Sequence, residues 1–267
     1  MNKTPTHSHR ELELLDALRQ LGGSARSAEL ARVLNVSEET VRRTIKALAK
    51  AGALERVHGG AFLPDTQAGL SFFSRMTQYP DEKRAIAKST AEHIQDGMTL
   101  FMDVGSTTAF VSEELRARHN MTVVTNSIGV AQTLVNHNNN RVHFLGGEMQ
   151  GNERGTFGFV TESQIRRFVF DMAILSADAL SHKRGVLFTN AIEATLAIVA
   201  AENADQKVFV IDHHKFDTTA PHCGPDMRQV DALFTDATPN KRLRAACKDW
   251  GVAIHVAGQT EDTNDDE

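Results

Sequence analysis

The chain has 267 residues, 41% hydrophobic and 24% charged, with a formal net charge of −5. That is an ordinary globular composition, with material for one large or two modest domains. It contains no apolar run of about 18 residues, no signal-peptide core in Met1 to Arg10, and only two distant cysteines, Cys223 and Cys247, which argues against a membrane span, export and a disulfide framework and for a reducing cytoplasm.

Charge is unevenly shared. Residues 1–62 hold ten Lys+Arg against seven Asp+Glu, a net of +3, and the remaining 205 hold 19 against 27, a net of −8. A mildly basic head on an acidic body suits a DNA-reading domain joined to one with another task.

Residues 1–9 read as disordered. Residues 11–21 predict a helix with Leu12, Leu15 and Leu18 on one side. Ser27 reads as an N-cap for a short amphipathic helix over 28–34, and Asn35-Val36 as a tight turn. Ser37 caps a second helix reaching about Ala51, with Glu38 and Glu39 in its first turn and Gly52 at the position after its C-cap; such caps and charges favour helix ends. Two helices joined by so short a turn, residues 25–44, form a helix-turn-helix, whose second helix enters the major groove.

The second helix has two faces. Val41, Ile45 and Leu48 make an apolar stripe, and Arg43, Lys46 and Lys50 a basic one beside Arg42. Ser37, Thr40, Arg42, Arg43, Thr44 and Lys46 are the candidate contacts to base edges and phosphates. Residues 53–57, the turn His58-Gly59-Gly60 and residues 61–63 read as a hairpin that makes the module winged, with Arg56 and His58 near phosphates. A basic outer face alone is usually a solvated face; caps, turn, basic stripe and wing in order are what point to DNA.

The DNA-reading domain is thus placed at residues 10–63 and a Pro-flanked linker at 64–80. A second domain follows at 81–257, and residues 258–267 read as a disordered acidic tail. In the second domain a helix over 81–95 precedes apolar runs at 98–104, 121–125, 142–145, 172–175, 208–211, 232–234 and 252–256. Helical segments at 108–118, 128–135, 161–168, 191–203 and 240–249 separate most of them. Such alternation means an α/β fold with a mostly parallel sheet.

Ligands bind such sheets beyond the carboxyl ends of the strands. There the sequence places Asp103, Gly105, Ser106, Thr107, Thr108, Asn126, Ser127, Gly146, Gly147, Ser176, Asp178 and, after Asp212-His213-His214, Lys215. Gly105 would let backbone approach a ligand, the three hydroxyls stand at a helix start that favours anions, and Lys215 offers a point charge. The set suits a phosphate with a polyhydroxylated body. Each piece also has a plain reading: a turn, an N-cap, a satisfied carboxylate. His213, His214, His222 and Cys223 match no zinc spacing, so no metal is expected, and without a Walker loop or dinucleotide fingerprint no cofactor is.

Both halves resemble the DeoR-type bacterial transcription regulators. The head carries Ala28-Glu29-Leu30-Ala31, Val36-Ser37, Thr40-Val41-Arg42-Arg43, Leu48, Gly52-Ala53-Leu54, Arg56 and His58-Gly59-Gly60-Ala61. The body carries Glu82-Lys83-Arg84-Ala85-Ile86-Ala87, Asp103-Val104-Gly105-Ser106-Thr107-Thr108, Val124-Thr125-Asn126-Ser127, Leu145-Gly146-Gly147 and Asp212-His213-His214-Lys215-Phe216. The pattern departs at Thr44, where the family usually has Asp, and at Thr195-Leu196-Ala197-Ile198, where a basic residue often follows the Glu-Ala pair.

The resemblance implies a cytoplasmic repressor of sugar or polyol catabolic genes. It also implies a sensor similar to ribose-5-phosphate isomerase and CoA-transferase folds that binds a phosphorylated sugar without converting it. Its partners would be a double-stranded DNA operator, the sugar phosphate and further copies in a homodimer or homotetramer, with no membrane. The rival readings are a sugar-phosphate isomerase with a fused DNA-binding domain, using Asp178, Glu193 and Lys215 as acid–base groups, and an activator of the same architecture.

Overall fold

The computed structural model describes residues 9–21, 24–57, 59–63 and 72–259. The chain divides into two compact units: residues 1–78 with 151–153, and residues 79–150 with 154–267.

The first unit is built on three helices, α1 (His9–Gln20), α2 (Ser27–Val33) and α3 (Glu38–Lys50). They close one core with Leu14, Leu15 and Leu18 of α1, Leu30 and Ala31 of α2, and Val41, Ile45 and Leu48 of α3. Leu12, expected on the inner side of α1, is exposed, and Leu14 takes its place. The buried stripe of α1 is therefore set by its seat on the other helices and not by the leucine spacing alone. Ser27 is not a cap: it is buried as the first residue of α2, behind an Arg26 that makes no side-chain capping bond.

Ser27 is displaced because the preceding residues form a strand that the sequence did not reveal. β1 (Ser24–Arg26) pairs antiparallel with β3 (Gly60–Phe62), which also pairs with β2 (Glu55–Val57). The wing is thus a three-stranded sheet in the order β1-β3-β2. Gly60 is required there, since a Cβ would lie 2.3 Å from the Ala25 carbonyl oxygen. The stretch expected as linker contains a short helix, α4 (Phe72–Thr77). In the same unit Phe72 N–H donates to Asn152 O, and Arg75 pairs with Glu153. The expected tail lies outside the described residues from 260 onward.

The second unit opens with α5 (Pro80–Glu92) and holds a seven-stranded sheet. Its strands are β4 (Thr99–Met102), β5 (Thr122–Thr125), β6 (Arg141–Phe144), β9 (Phe170–Leu175), β12 (Ala204–Val210), β14 (Ala232–Thr235) and β15 (Ala253–Val256), in the order β15-β14-β12-β9-β4-β5-β6. Every pairing is parallel.

Alternate residues face opposite cores. Leu100, Met102, Met172, Ile174, Val208 and Val210 pack beneath α5, α6 (Ser106–Glu114) and α7 (Ile128–Leu134). Phe101, Ala173, Leu175 and Phe209 pack beneath α8 (Phe159–Ile165), α9 (Ala191–Glu202) and α10 (Lys241–Trp250). Covering both faces is what lets parallel strands read as unbroken apolar runs.

Two small antiparallel pieces were not anticipated. One is the hairpin β7 (Glu148–Gln150) with β8 (Gly155–Phe157). The other is the sheet β10-β11-β13, made by Ala179–Ser181, Gly185–Phe188 and His222–Cys223.

Candidate functional site

The head presents its site on the outer face of α3. Ser37 Oγ accepts from Thr40 N–H at 3.2 Å and lies 2.9 Å from Thr40 Oγ1, so the cap is made as its sequence suggests. Asn35 at φ 52° turns the chain between the helices, and Gly52 at φ 71° ends the second. With Val41, Ile45 and Leu48 buried, Arg42, Arg43 and Lys46 are left in solvent.

These basic groups differ in their partners. Arg42 pairs with Glu38 at 2.8 Å, while among the described residues Arg43 and Lys46 make no ion pair. Thr44 is half-buried and its hydroxyl donates back to Thr40 O at 2.9 Å. Arg56 is exposed on β2, and His58 lies outside the described residues.

In the second unit the strand order places a topological switch between β4 and β9. From β4 the chain steps through β5 to β6 on one side; from β9 it steps through β12 and β14 to β15 on the other. Ligand crevices form at such points. One wall is the stretch from Asp103 into α6, and the other is Ser176 to Asp178.

The switch point is bridged by the protein itself. Asp103 Oδ1 accepts from Gly105 N–H at 2.9 Å and Thr108 Oγ1 at 2.6 Å, and Oδ2 accepts from Ser176 N–H at 2.6 Å and Ser176 Oγ at 3.0 Å. Asp103 is therefore a fully engaged structural carboxylate that ties the two walls together. Gly105 serves the same contact, since a Cβ would lie 2.1 Å from Ser176 Oγ; its smallness admits Ser176, where the sequence suggested a ligand. Ser176 stood out in the sequence only as a strand-end residue.

The remaining polar groups are interior. Ser106, Thr107, Thr108, Asn126 and Ser127 are all buried. Ser127 Oγ caps α7 by accepting from Val130 N–H at 3.3 Å, and Asn126 Nδ2 donates to Thr156 O at 3.0 Å. Two atoms here, Thr107 Oγ1 and Asn126 Oδ1, are buried without a hydrogen-bond partner among the described residues; Thr235 Oγ1, at the end of β14, is a third. An unpaired buried polar atom costs about 1–3 kcal/mol. Thr107 lies in the first turn of α6, beyond β4, and Asn126 directly follows the neighbouring β5, so one hydroxyl and one amide oxygen are left unused on this side of the sheet.

Gly146 and Gly147 stand exposed beyond β6. Gly146 O accepts from Thr161 Oγ1 at 2.9 Å, and Gly147 has φ 149° with Thr161 Oγ1 where a Cβ would be. Asp178 Oδ2 accepts from Thr189 N–H at 2.7 Å, and Lys215 Nζ donates to Ala177 O at 2.6 Å. Lys215 is thus held at the β9 wall. Sequence reasoning gave no role to His213, whose Nδ1 lies 2.5 Å from the largely buried carboxylate of Asp236.

Hydrogen bonds from His182 and Asn240 hold the Asp217 carboxyl below its ordinary value, and burial pushes the Cys247 thiol up to about 11. Among the described residues no three His, Cys, Asp or Glu gather as a metal site, and no helix is long and apolar enough to cross a membrane.

A winged helix-turn-helix with a solvent-facing basic reading helix, followed by a parallel α/β domain with a topological switch point, defines a DNA-binding transcriptional regulator with a sensor domain. The family model for the DeoR-like helix-turn-helix domain matches residues 10–67, and that for the DeoR C-terminal sensor domain matches residues 78–237. The chain belongs to the DeoR family.

The glycerol-3-phosphate regulon repressor of Escherichia coli (strain K12) is 31% identical over 88% of this chain and 93% of its own length. The HTH-type transcriptional repressor CsqR of the same organism is 31% identical over 85% of this chain and 87% of its own. The HTH-type transcriptional regulator GolR of Listeria innocua is 29% identical over 86% and 91%. Among solved structures, ribose 5-phosphate isomerase A from Methanocaldococcus jannaschii covers 51% of this chain and 54% of its own at 18% identity, with a TM-score of 0.39, too loose a match to bear on activity.

Proposed function

We propose that this chain is a cytoplasmic repressor of sugar or polyol catabolic genes that leaves its operator when a phosphorylated sugar enters the β4/β9 crevice. The observation that carries the reading is the pair of unsatisfied interior atoms. Thr107 Oγ1 donates to a phosphate oxygen over the first turn of α6, and Asn126 Oδ1 accepts from a hydroxyl of the ligand body. The relatives support the ligand class, since one is named for a glycerol-3-phosphate regulon.

In this reading Ser106, Thr108, Ser127, Gly146 and Gly147 shape the pocket, and Asp103 holds its walls. Lys215 exchanges Ala177 O for the phosphate. On the same reading the chain binds the ester without turning it over, as the family's regulators of transcription imply. Ser37, Thr40, Arg42, Arg43, Thr44, Lys46, Arg56 and His58 form the DNA face, and two or four copies read paired half-sites. Release requires a ligand with unequal affinity for the bound and free arrangements.

The test is fluorescence anisotropy of the full chain on its own promoter fragment, with and without a panel of sugar phosphates and the matching free sugars. Salt-sensitive binding released by one ester and not by its free sugar is the expected result. Specific binding that no ester alters would overturn the effector assignment. Turnover of an ester by the purified chain would overturn the repressor-only reading.

A further inference from the structure

Tyr79 is the first residue of the second unit and it is strained. Its backbone is left-handed, at φ 50° and ψ 51°, just before Pro80 at the start of α5. An aromatic residue rarely adopts that conformation, and a residue before proline prefers an extended one. Something must hold it, and His214 is in place to do so. The two rings stack at 3.5 Å between centroids and 15° between planes, and His214 Nε2 lies 3.8 Å from Glu82 Oε1 in the first turn of α5.

His214 adjoins Lys215 in a single turn of 3-10 helix, His213–Lys215, after β12. That turn is fixed at both ends. His214 N–H donates to the carboxylate of the buried Asp212, while His213 is tied to Asp236. The Lys215–Ala177 bond is a further tie on the same turn, so its loss leaves the turn freer to shift, and a shift carries the adjacent His214 with it.

We infer that the His214–Tyr79 stack is a latch through which the crevice sets the direction of the chain where it enters the sensor unit. The inference rests on the sugar-phosphate reading above only for what moves Lys215; the latch itself needs no ligand. When Lys215 leaves Ala177 O, the turn shifts and the stack is lost. Tyr79 then relaxes to the extended backbone that Pro80 favours, and the segment preceding it swings. Two discrete backbone states at one residue supply the bistable element that coupling requires. His214 is a positioning residue in this scheme and does not touch the ligand.

The experiment has a ligand-free arm and a ligand arm, both on the full chain. In hydrogen exchange, His214→Ala and Lys215→Ala are each expected to speed exchange of the amides of residues 83–85 about tenfold, while amides of β4 and β9 stay unchanged. His214→Phe keeps a stacking ring and is expected to match the wild type. Unchanged exchange in Lys215→Ala, or equal loosening in His214→Phe and His214→Ala, would overturn the latch.

The ligand arm uses inorganic phosphate, sn-glycerol 3-phosphate and ribose 5-phosphate as probes against operator-bound protein. For a probe that releases the wild type, His214→Ala is expected to keep probe affinity within about threefold but to change operator affinity less than about twofold on probe addition. His214→Phe should restore release, and full release in His214→Ala would overturn the latch. A wild type that none of the probes binds counts against the phosphate reading, and the exchange arm then decides the latch alone.

Discussion

On α3, Arg43 and Lys46 stand in solvent on a helix anchored by Val41, Ile45 and Leu48; around α6, Asp103, Thr107, Thr108 and Asn126 are themselves interior. The head separates its fold from its chemistry by helix face. The sensor builds with its chemistry, so that the same carboxylate that marks the crevice also holds its walls together. A substitution in the first region should alter binding and spare stability. One in the second should do both, and the difference can be measured.

The largest effect expected is that of Asp103→Ala, which strands donors from Gly105, Thr108 and Ser176. Urea unfolding should show a loss of about 3 kcal/mol; a wild-type midpoint would mean that the walls do not depend on this carboxylate. Next comes Arg43→Ala, which should weaken operator binding by about 1–3 kcal/mol with unfolding unchanged. Its neighbour Lys46→Ala should mainly lower the salt slope by about one unit if it meets a phosphate. Unaltered affinity and slope in both variants would remove α3 as the reading helix.

Ser37→Ala sharpens the contrast, because here a head residue belongs to both categories. Loss of the cap on Thr40 N–H should lower stability by about 1 kcal/mol, and the operator titration would show whether binding falls further than the fraction unfolded explains. The smallest effect is expected from Glu38→Gln. The exposed Arg42–Glu38 pair contributes little, about 0.5 kcal/mol or less, so melting should hold while freed Arg42 raises operator affinity about twofold. Affinity that stays put would keep Arg42 off the DNA.

Much of this architecture was legible in the chain. The seven sheet strands announce themselves as apolar runs because both faces of a parallel sheet are covered, and Ser37, Asn35 and Gly52 mark the ends of helices by local chemistry alone. What escaped depends on partners far away in sequence. β1 is three residues, Ser24–Arg26, and exists only because Gly60–Phe62 lies beside it. The hairpin β7–β8 and the sheet β10-β11-β13 escaped through shortness alone, with strands of two to four residues.

The crevice was half legible. Strand ends located Gly105, Thr107 and Asn126, but spacing cannot say which polar atoms are already taken. Asp103 and Thr108 proved engaged with each other, and Gly105 with Ser176. Thr107 Oγ1 and Asn126 Oδ1 were left over.

The strand order also bears on synthesis. The head closes its core from residues before 64, ahead of any strand of the seven-stranded sheet. β4 then appears first and ends in the middle of the sheet, with β5 and β6 laid on one side, whereas the strands of the other side begin only at Phe170. A message cut short between Phe144 and Phe170 encodes the whole reading helix but only one wall of the crevice. A nonsense mutation in that interval would therefore separate the two halves of the protein genetically, keeping the reading helix and losing four of the seven strands of the large sheet, β9, β12, β14 and β15.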